Sequence, residues 1–203
     1  EIKQTAEIAN KLGLRLETVY FGGGTPTTLS AEQLDTVLGT VNKSFDMSTC
    51  REFTVEAGRP DTIDIAKLFA LKENKVDRIS INPQTVNDEV LKTIGRKHTT
   101  AQTVEAFRMA RAAGFDNINM DLIMGLPEED LDDVRHTLEE IEALRPDSLT
   151  VHSLAIKRAA RLNMFKEEYG GLKINNTPEM IAMSEACARR LGMEPYYLYR
   201  QKN

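Results

Sequence analysis

Residues 117–127 read NINMDLIMGLP, a strand-like run that ends in a Gly-Leu-Pro turn. Within this run the apolar Met120 and Leu122 alternate with the polar Asn119 and Asp121. Successive side chains of a strand point to opposite faces of its sheet, so the run predicts one apolar and one polar face. The same alternation recurs in three other runs, at residues 53–56, 79–84 and 149–152.

Strand-like runs alternate with amphipathic, helix-like segments along the chain. Six runs are predicted as strands: Thr18–Phe21, Glu52–Ala57, Arg78–Asn82, Asn117–Met124, Ser148–Leu154 and Tyr196–Arg200. Their starts are separated by the spacing of β-α units rather than by that of hairpins. The pattern therefore predicts a parallel sheet with helices between the strands, either open or closed into a barrel.

The polar strand face distinguishes these two arrangements. An open, doubly wound sheet buries both faces, and its strands are continuous apolar runs. A sheet covered by helices on one face only, with polar side chains such as Thr54, Ser80 and Asn119 on the other, favours a barrel or partial barrel with a solvated interior. We expect four polar residues to face that interior: Glu56, Gln84, Asp121 and His152. Four apolar residues are expected to pack against helices: Val55, Ile81, Leu122 and Val151.

Several helix boundaries are also marked in the sequence. A helix is predicted from Glu1 to Leu12, and Ser30 with Gln33 forms the pattern of a capping box. Further helix starts are predicted at Pro60-Asp61 and at Thr177-Pro178. Three glycines stand where helices are expected to end: Gly95, Gly114 and Gly192.

Composition limits the classes of protein to which the chain can belong. It has 203 residues, a formal net charge of −5 and an isoelectric point near 5.4. Without a basic stripe, this acidic balance argues against a nucleic-acid partner. No apolar run approaches the ~18 residues that a membrane span needs, and no signal peptide opens the chain. We therefore expect a single soluble domain over residues 1–203, located in the cytoplasm and without a membrane span.

A glycine-rich turn, Gly22-Gly23-Gly24-Thr25-Pro26, follows the first predicted strand. Three glycines allow a sharp turn and leave backbone amide and carbonyl groups open to a ligand. The turn lacks the Gly-Lys-Ser/Thr ending of a phosphate loop and does not fit the dinucleotide fingerprint. It is either a ligand-binding loop or only a turn.

Two carboxylates stand out on the polar strand face. Glu56 ends the second predicted strand, and a carboxylate there must be solvated, paired or bound to a ligand. The alternative to ligand binding is a structural salt bridge between Glu56 and Arg78 or Arg96. Asp121 is the single charge within a long apolar run, which makes a functional role the better explanation.

An amide and a guanidinium are further candidates. Gln84 lies where the third strand leaves the sheet, and its amide can both donate and accept hydrogen bonds. Arg96 follows a predicted helix end and can hold a carboxylate with two hydrogen bonds. Judged alone, both residues are equally well explained as solvated polar groups.

The histidines and cysteines predict no metal site. We expect His98 and His136 on the surface, and His152 either near a ligand or satisfied locally. Cys187 shares an apolar helix face with neighbouring methionines, which indicates packing, and Cys50 is a lone loop cysteine. No Cys-x-x-Cys motif or clustered His/Cys spacing exists in the sequence.

Taken together, five motifs resemble the radical S-adenosylmethionine (SAM) superfamily, in particular the oxygen-independent coproporphyrinogen III oxidase group. They are Tyr20–Pro26, Thr54–Ala57, Arg78–Gln84, Gly95-Arg96 and Asn119–Pro127, and residues 154–158 and 195–203 also look similar to the coproporphyrinogen dehydrogenases of this group. Each motif is weak alone, but their order and spacing are specific, and the resemblance covers essentially the whole chain.

The resemblance implies a fold and a set of cofactor contacts. The family fold is a partial (β/α)6 TIM-like barrel, here with its first strand missing, whose interior holds SAM and a [4Fe–4S] cluster. By position, Gly23, Gly24 and Thr25 would meet the methionyl amino group through their backbone. Arg96 would bind the methionine carboxylate, and Ala155 would touch the adenine. Three residues would bind the ribose hydroxyls or the ammonium: Glu56, Gln84 and Asp121.

The resemblance also implies an activity. The cluster reduces SAM to give a radical that abstracts hydrogen from a propionate of coproporphyrinogen III, and decarboxylation leads to protoporphyrinogen IX in haem biosynthesis. The partners implied are this tetrapyrrole substrate and an electron donor. The alternatives are a related haem chaperone or haem-degrading protein, and a cluster-free barrel that serves as a binding module.

One departure from the family is large. Its cluster-binding motif, Cys-x-x-x-Cys-x-x-Cys, is absent from the 203 residues. Because the chain opens at Glu1 inside a helix-like segment, we expect a piece of a longer protein with that motif upstream. We therefore assign no catalytic residue and no metal ligand within this chain.

Overall fold

A computed structural model of the chain describes residues 1–154 and 176–198. The described helices are α1 (Ile2–Lys11), α2 (Ala31–Ser44), α3 (Ile65–Glu73), α4 (Asp88–Thr93), α5 (Thr100–Ala112), α6 (Leu131–Leu144) and α7 (Pro178–Arg190). The described strands are β1 (Thr18–Phe21), β2 (Glu52–Glu56), β3 (Arg78–Gln84), β4 (Ile118–Met124) and β5 (Ser148–Ser153). Five of the six predicted strands are therefore confirmed, with ends that differ by at most two residues.

The sheet follows the chain order, β1-β2-β3-β4-β5. Strand β1 pairs in parallel with β2, with Thr18 opposite Glu52, and β2 pairs in parallel with β3, with Thr54 opposite Arg78. Parallel neighbours need a crossover connection, and the helices between successive strands provide it. Three of the predicted site residues lie on the strands themselves: Glu56 and Gln84 are the last residues of β2 and β3, and Asp121 lies within β4.

The chain divides into two compact units. The first unit comprises Glu1–Pro83 and Ala101–Met120, and the second comprises Gln84–Thr100 with the described residues from Asp121 onward. Whether residues 1–203 form a single domain stays a prediction.

The core of the first unit is built from the apolar strand faces and the helices that cover them. Its fully buried side chains include Leu34, Leu38, Phe53, Val55, Leu68, Leu71, Ile79, Ile81 and Phe115. Val55 and Ile81 are buried, as their alternation predicts. Burial of each such side chain contributes about 1.5–3 kcal/mol of hydrophobic stabilisation.

The polar strand face of the first unit is buried at Thr54, Ser80 and Asn119, whereas Glu56 and Asn82 on the same face are half-buried, so its expected solvation is only partial. Thr54, Ser80 and Asn119 are all at most 8% exposed. The Asn119 amide donates to the Ser80 hydroxyl, and that hydroxyl donates to Asn82, each over 2.9 Å. Short polar side chains of β3 and β4 thus satisfy one another where this face is buried.

In the second unit, α6 packs against α7 through apolar side chains. The core here includes Leu122, Leu126, Val134, Leu138, Ile141, Met180 and Cys187. The predicted packing role of Cys187 is confirmed, since its thiol lies 3.7 Å from the Leu138 carbonyl oxygen. Val151 is only half-buried, so its expected burial against a helix is incomplete.

Most helix boundaries agree with their sequence signals. The Gln33 amide donates to the Ser30 hydroxyl over 3.2 Å, and the Ser30 amide donates to the Gln33 side chain over 2.9 Å, as a capping box requires. Thr177 caps α7 as predicted. The start predicted at Pro60-Asp61 is wrong: these residues form a single 3₁₀ turn, and Asp64 caps α3.

Two further expectations are corrected. The predicted sixth strand is not formed at Tyr196, Tyr197 and Leu198, which are at least 74% exposed; the rest of that run lies outside the described residues. His98 is buried rather than on the surface, in the loop between α4 and α5, whereas His136 is exposed as predicted. No helix in the described part of the chain is long and apolar enough to cross a membrane.

Candidate functional site

The glycine-rich turn follows β1, and its backbone is accessible from outside the protein. Gly23 and Gly24 are both exposed, and a Cβ atom added at either would meet nothing within 4 Å. Gly23 has φ 117°, which L side chains rarely adopt, so this position requires glycine. Thr25 then caps a 3₁₀ turn, and its carbonyl oxygen accepts a hydrogen bond from the Thr28 amide over 2.9 Å. The free backbone groups of this turn fit a polar ligand group.

Glu56 ends β2 beside the same turn. Its carboxylate accepts a hydrogen bond from the Tyr20 hydroxyl, and it is half-buried. The side chain of any residue other than glycine at position 22 would overlap the Tyr20 ring and lie 3.0 Å from the Glu56 carboxyl carbon. The alternative salt bridge with Arg78 is not formed, since Arg78 pairs with Glu52 at 3.5 Å. The hydroxyl of Tyr20 therefore orients the Glu56 carboxylate, and the Arg78 guanidinium does not neutralise it.

A lysine ties the glycine-rich turn to the next loop. The Lys67 ammonium donates to the Thr27 and Thr62 carbonyl oxygens, each over 2.8 Å. The hydroxyls of the two threonines lie 2.6 Å apart. These contacts join the loops that follow β1 and β2, so the turn has a fixed base beneath its open glycines.

Tyr20 and Lys67 were not singled out from the sequence. Tyr20 could have been found from the pairing of β1 with β2. Tyr20 lies opposite Thr54. Since Glu56 is two residues after Thr54 on the same face of β2, the long side chain of Tyr20 can reach it diagonally. No local pattern marks Lys67, because its partners are backbone carbonyls of two separate loops.

We expect Tyr20→Phe to weaken SAM binding about three- to tenfold in the intact protein, because Glu56 loses the hydrogen bond that orients its carboxylate. Phenylalanine keeps the ring over Gly22, so packing is preserved. Isothermal titration calorimetry with SAM is the measurement, and Tyr196→Phe, at an exposed tyrosine, is the matched control. An unchanged dissociation constant for Tyr20→Phe would show that Glu56 needs no such orientation.

Three predicted site residues belong to the second unit. Gln84 is the last residue of β3, is only 5% exposed and has φ 70°, a left-handed conformation unusual for a residue with a side chain. Arg96 follows α4 and is half-buried, with its amide bonded to the Leu91 carbonyl over 2.8 Å. Asp121 is half-buried in β4, between two completely buried neighbours, Met120 and Leu122. His152 is exposed on β5, and Ala155 lies outside the described residues.

A buried carboxyl that the sequence analysis did not single out also belongs to this unit. Glu129 follows the Gly-Leu-Pro turn and is 2% exposed. Burial raises its pKa from 4.5 to about 7; the Thr85 hydroxyl and the Leu126 amide oppose this shift, and nearby Asp133 adds to it. Its Oε2 atom has no hydrogen-bond partner among the described residues. At pH values below about 7 this carboxyl is therefore mostly neutral.

The donor atoms of the chain fit SAM but not a [4Fe–4S] cluster. Open backbone amides, carboxylates and a guanidinium match the ammonium, hydroxyl and carboxylate groups of SAM. Among the described residues, no group of three or more His, Cys, Asp or Glu side chains could hold a metal. The two cysteines are a half-buried loop residue, Cys50, and the buried Cys187.

Comparisons with known proteins agree with this donor set. Residues 1–141 match the family model of the radical SAM superfamily. The chain is 46% identical over 204 aligned residues to the oxygen-independent coproporphyrinogen-III oxidase-like protein HemZ of Bacillus subtilis (strain 168), which covers 100% of this chain and 41% of HemZ. It is 34% identical to the haem chaperone HemW of Lactococcus lactis subsp. lactis (strain IL1403), over 93% of this chain and 49% of HemW.

The fold comparison leads to the same superfamily. The solved structure of the radical SAM enzyme coproporphyrinogen III oxidase (HemN) from Escherichia coli matches with a TM-score of 0.79 and 25% identity, over 94% of this chain and 44% of HemN. The chain thus spans less than half the length of these relatives. Its predicted fold class, a partial α/β barrel of the radical SAM type, is confirmed, and the radical SAM family uses SAM and a [4Fe–4S] cluster. The chain belongs to the radical SAM superfamily, in its haem-related branch.

Proposed function

We propose that this chain is the SAM-binding part of an oxygen-independent coproporphyrinogen III dehydrogenase. The observation that carries the proposal is the 46% identity to HemZ over the whole chain. The substrate class that follows is a tetrapyrrole with propionate side chains, and an electron donor completes the reaction.

In this proposal, different residues bind different chemical groups of SAM. The open backbone of Gly23, Gly24 and Thr25 receives the methionyl ammonium. The guanidinium of Arg96 holds the methionine carboxylate, for which its two-pronged hydrogen bonding is suited. Three side chains hold the ribose hydroxyls or the ammonium, namely Glu56, Gln84 and Asp121, and Ala155 contacts the adenine.

When both are bound, SAM and the cluster supply the radical chemistry that removes hydrogen from a propionate side chain, while the protein supplies orientation. Within this chain, the phenol of Tyr20 keeps Glu56 aimed at the glycine-rich turn. Lys67 fixes the base of that turn. Because the two cysteines do not form a three-thiolate set, no ligand of the cluster is assigned to these residues.

A haem chaperone is the second candidate function, favoured by the identity to HemW over 93% of the chain. The two candidates share the SAM site but differ in what happens to the tetrapyrrole. Anaerobic incubation of the intact protein with coproporphyrinogen III, SAM and a reductant separates them. Formation of protoporphyrinogen IX with one 5′-deoxyadenosine per decarboxylation supports the dehydrogenase. Tight haem binding without decarboxylation supports the chaperone.

The SAM site itself is tested by Asp121→Ala in the intact protein. Loss of one hydrogen bond to a charged group is worth ~1.5–3 kcal/mol, so we expect SAM affinity to fall roughly ten- to a hundredfold. Asp116→Ala is the matched control, because Asp116 is an exposed aspartate just before the same strand. If calorimetry gives equal SAM affinities for wild type and Asp121→Ala, Asp121 does not belong to the site.

A further inference from the structure

On the polar strand face of the first unit, side-chain hydrogen bonds run from β4 across β3 and end at Asn82. The Asn119 amide donates to the Ser80 hydroxyl, and that hydroxyl donates to Asn82 Oδ1, each over 2.9 Å. A hydroxyl has one hydrogen, so the bond that Ser80 receives from Asn119 leaves this hydrogen for Asn82. The Asn82 side chain therefore turns its carbonyl oxygen to Ser80 and its NH2 group away from it. All three residues belong to the first unit.

The NH2 group of Asn82 lies against the segment that follows β2. A Cβ atom added to Gly58 would lie 3.0 Å from Asn82 Nδ2, so the lack of a side chain at position 58 makes room for this amide. The Ala57 amide donates to the Ser80 carbonyl oxygen over 2.9 Å, which holds the two segments together here. Asn82 is half-buried, unlike Ser80 and Asn119, so a ligand can reach its side chain.

Glu56 is the neighbour of Asn82 on this face. Glu56 lies opposite Ser80 in the register of β2 and β3, and Asn82 follows Ser80 by two residues, so the two side chains are diagonal neighbours. The Tyr20 hydroxyl donates to Glu56 Oε1, which leaves Oε2 to accept from a ligand. A carboxylate acceptor and an amide donor thus stand side by side at the ends of neighbouring strands.

This pair suits one group of SAM better than the others. An ammonium group needs only acceptors, and a carboxylate needs only donors. A vicinal diol both donates and accepts, so a carboxylate and an NH2 group satisfy it together. The ribose of SAM carries such a diol.

We propose that Asn82 is a further cofactor-binding residue, whose NH2 group donates to a ribose hydroxyl of SAM while Glu56 accepts from the same diol. The inference rests on the proposed function, which assigns Glu56 to the ribose hydroxyls or the ammonium, and it selects the ribose. Ser80 and Asn119 are positioning residues in this arrangement, because they orient the Asn82 amide and do not touch the cofactor.

The first test compares Asn82→Asp with wild type in the intact, cluster-loaded protein, by calorimetry with S-adenosylhomocysteine. Aspartate keeps the shape of asparagine and the acceptor for Ser80, but it replaces the NH2 donor by an oxygen. The ligand has the ribose of SAM without the sulfonium charge, so the added carboxylate attracts it little. We expect roughly tenfold weaker binding, because a donor is lost and an acceptor faces the hydroxyl oxygen.

Asn117→Asp is the matched control, since Asn117 is a half-buried asparagine just before β4, at the other end of the strands. It adds the same charge and should leave the affinity within about twofold of wild type. A purely structural role of Asn82, as the acceptor for Ser80, would survive in Asn82→Asp. Equal affinities of Asn82→Asp and wild type would therefore overturn the inference.

Deoxy analogues of the ligand identify the group that Asn82 contacts. The 2′-deoxy and 3′-deoxy forms of S-adenosylhomocysteine each lack one hydroxyl. Asn82→Ala should bind the parent ligand about three- to tenfold more weakly than wild type does. This difference should fall below about twofold with the analogue that lacks the contacted hydroxyl. A difference that persists with both analogues would overturn the assignment to the ribose.

The positioning role of Ser80 is tested by a double-mutant cycle. Ser80→Ala should weaken binding about threefold in the wild-type background and cause no further loss in Asn82→Ala, because Ser80 acts only through Asn82. Additive losses would overturn that role. A wild-type protein that carries its cluster but binds neither SAM nor S-adenosylhomocysteine would overturn the proposed function and this inference with it. Binding by wild type that neither change at Asn82 weakens would overturn the inference alone.

Discussion

The 203-residue chain by itself is expected to assemble no [4Fe–4S] cluster and to leave SAM uncleaved. Three thiolates within one loop are the usual way to hold such a cluster with one iron open to SAM, and this sequence contains two cysteines. Cys187 is fully buried against α6, and burial raises the pKa of its thiol, so it is a poor thiolate donor. We therefore expect no cluster and no 5′-deoxyadenosine at all from this chain, rather than reduced amounts.

Anaerobic reconstitution of this chain with iron and sulfide tests the expectation, with iron and acid-labile sulfide content, visible absorbance and 5′-deoxyadenosine as readouts. The intact protein, treated identically, is the positive control. Cys50→Ser serves as a matched variant, because any iron held by the half-buried loop cysteine would be lost with it. A stoichiometric cluster on the 203-residue chain would show that our account of its cysteines is wrong.

The sequence predicted the strands well because each carries its own two-residue alternation. Buried Val55, Ile81 and Leu122 follow directly from that pattern. The predicted strand at Tyr196 fails for a complementary reason: aromatic residues favour strands only when a neighbour covers them, and Tyr196 is 79% exposed. Prediction of strands from local sequence was therefore correct where neighbouring elements cover the strand, and wrong where none does.

The site was predicted unevenly for the same physical reason. Residues with a local signal, such as Gly23 in its glycine run or Asp121 in its apolar run, were found from the sequence alone. Glu129 was not, because it lies between Glu128 and Asp130 in what looks like a solvated acidic loop. Only tertiary contacts bury it. The same holds for His98, a single residue whose burial depends on how a loop packs.

Position 125, the glycine of the Gly-Leu-Pro turn, is a place where a single added methyl group should destabilise the fold strongly. Gly125 has φ 79°, and an added Cβ would lie 2.6 Å from the Cβ and 2.9 Å from the Cα of Asn176. Asn176 cannot move away easily, since its side-chain amide donates to the Ser153 hydroxyl over 2.6 Å and to the Leu154 carbonyl oxygen over 3.1 Å. Both backbone strain and overlap therefore oppose alanine at this position.

We expect Gly125→Ala to lower the free energy of unfolding by about 3 kcal/mol, the sum of left-handed strain and overpacking. Gly192→Ala separates the two causes, because Gly192 has a similar φ of 76° but nothing within 4 Å of an added Cβ. It should lose only about 1–2 kcal/mol. Urea unfolding of both variants, with unchanged m-values, is the measurement. Equal losses would mean that Asn176 yields to the methyl group, and that the turn after β4 is not held against it.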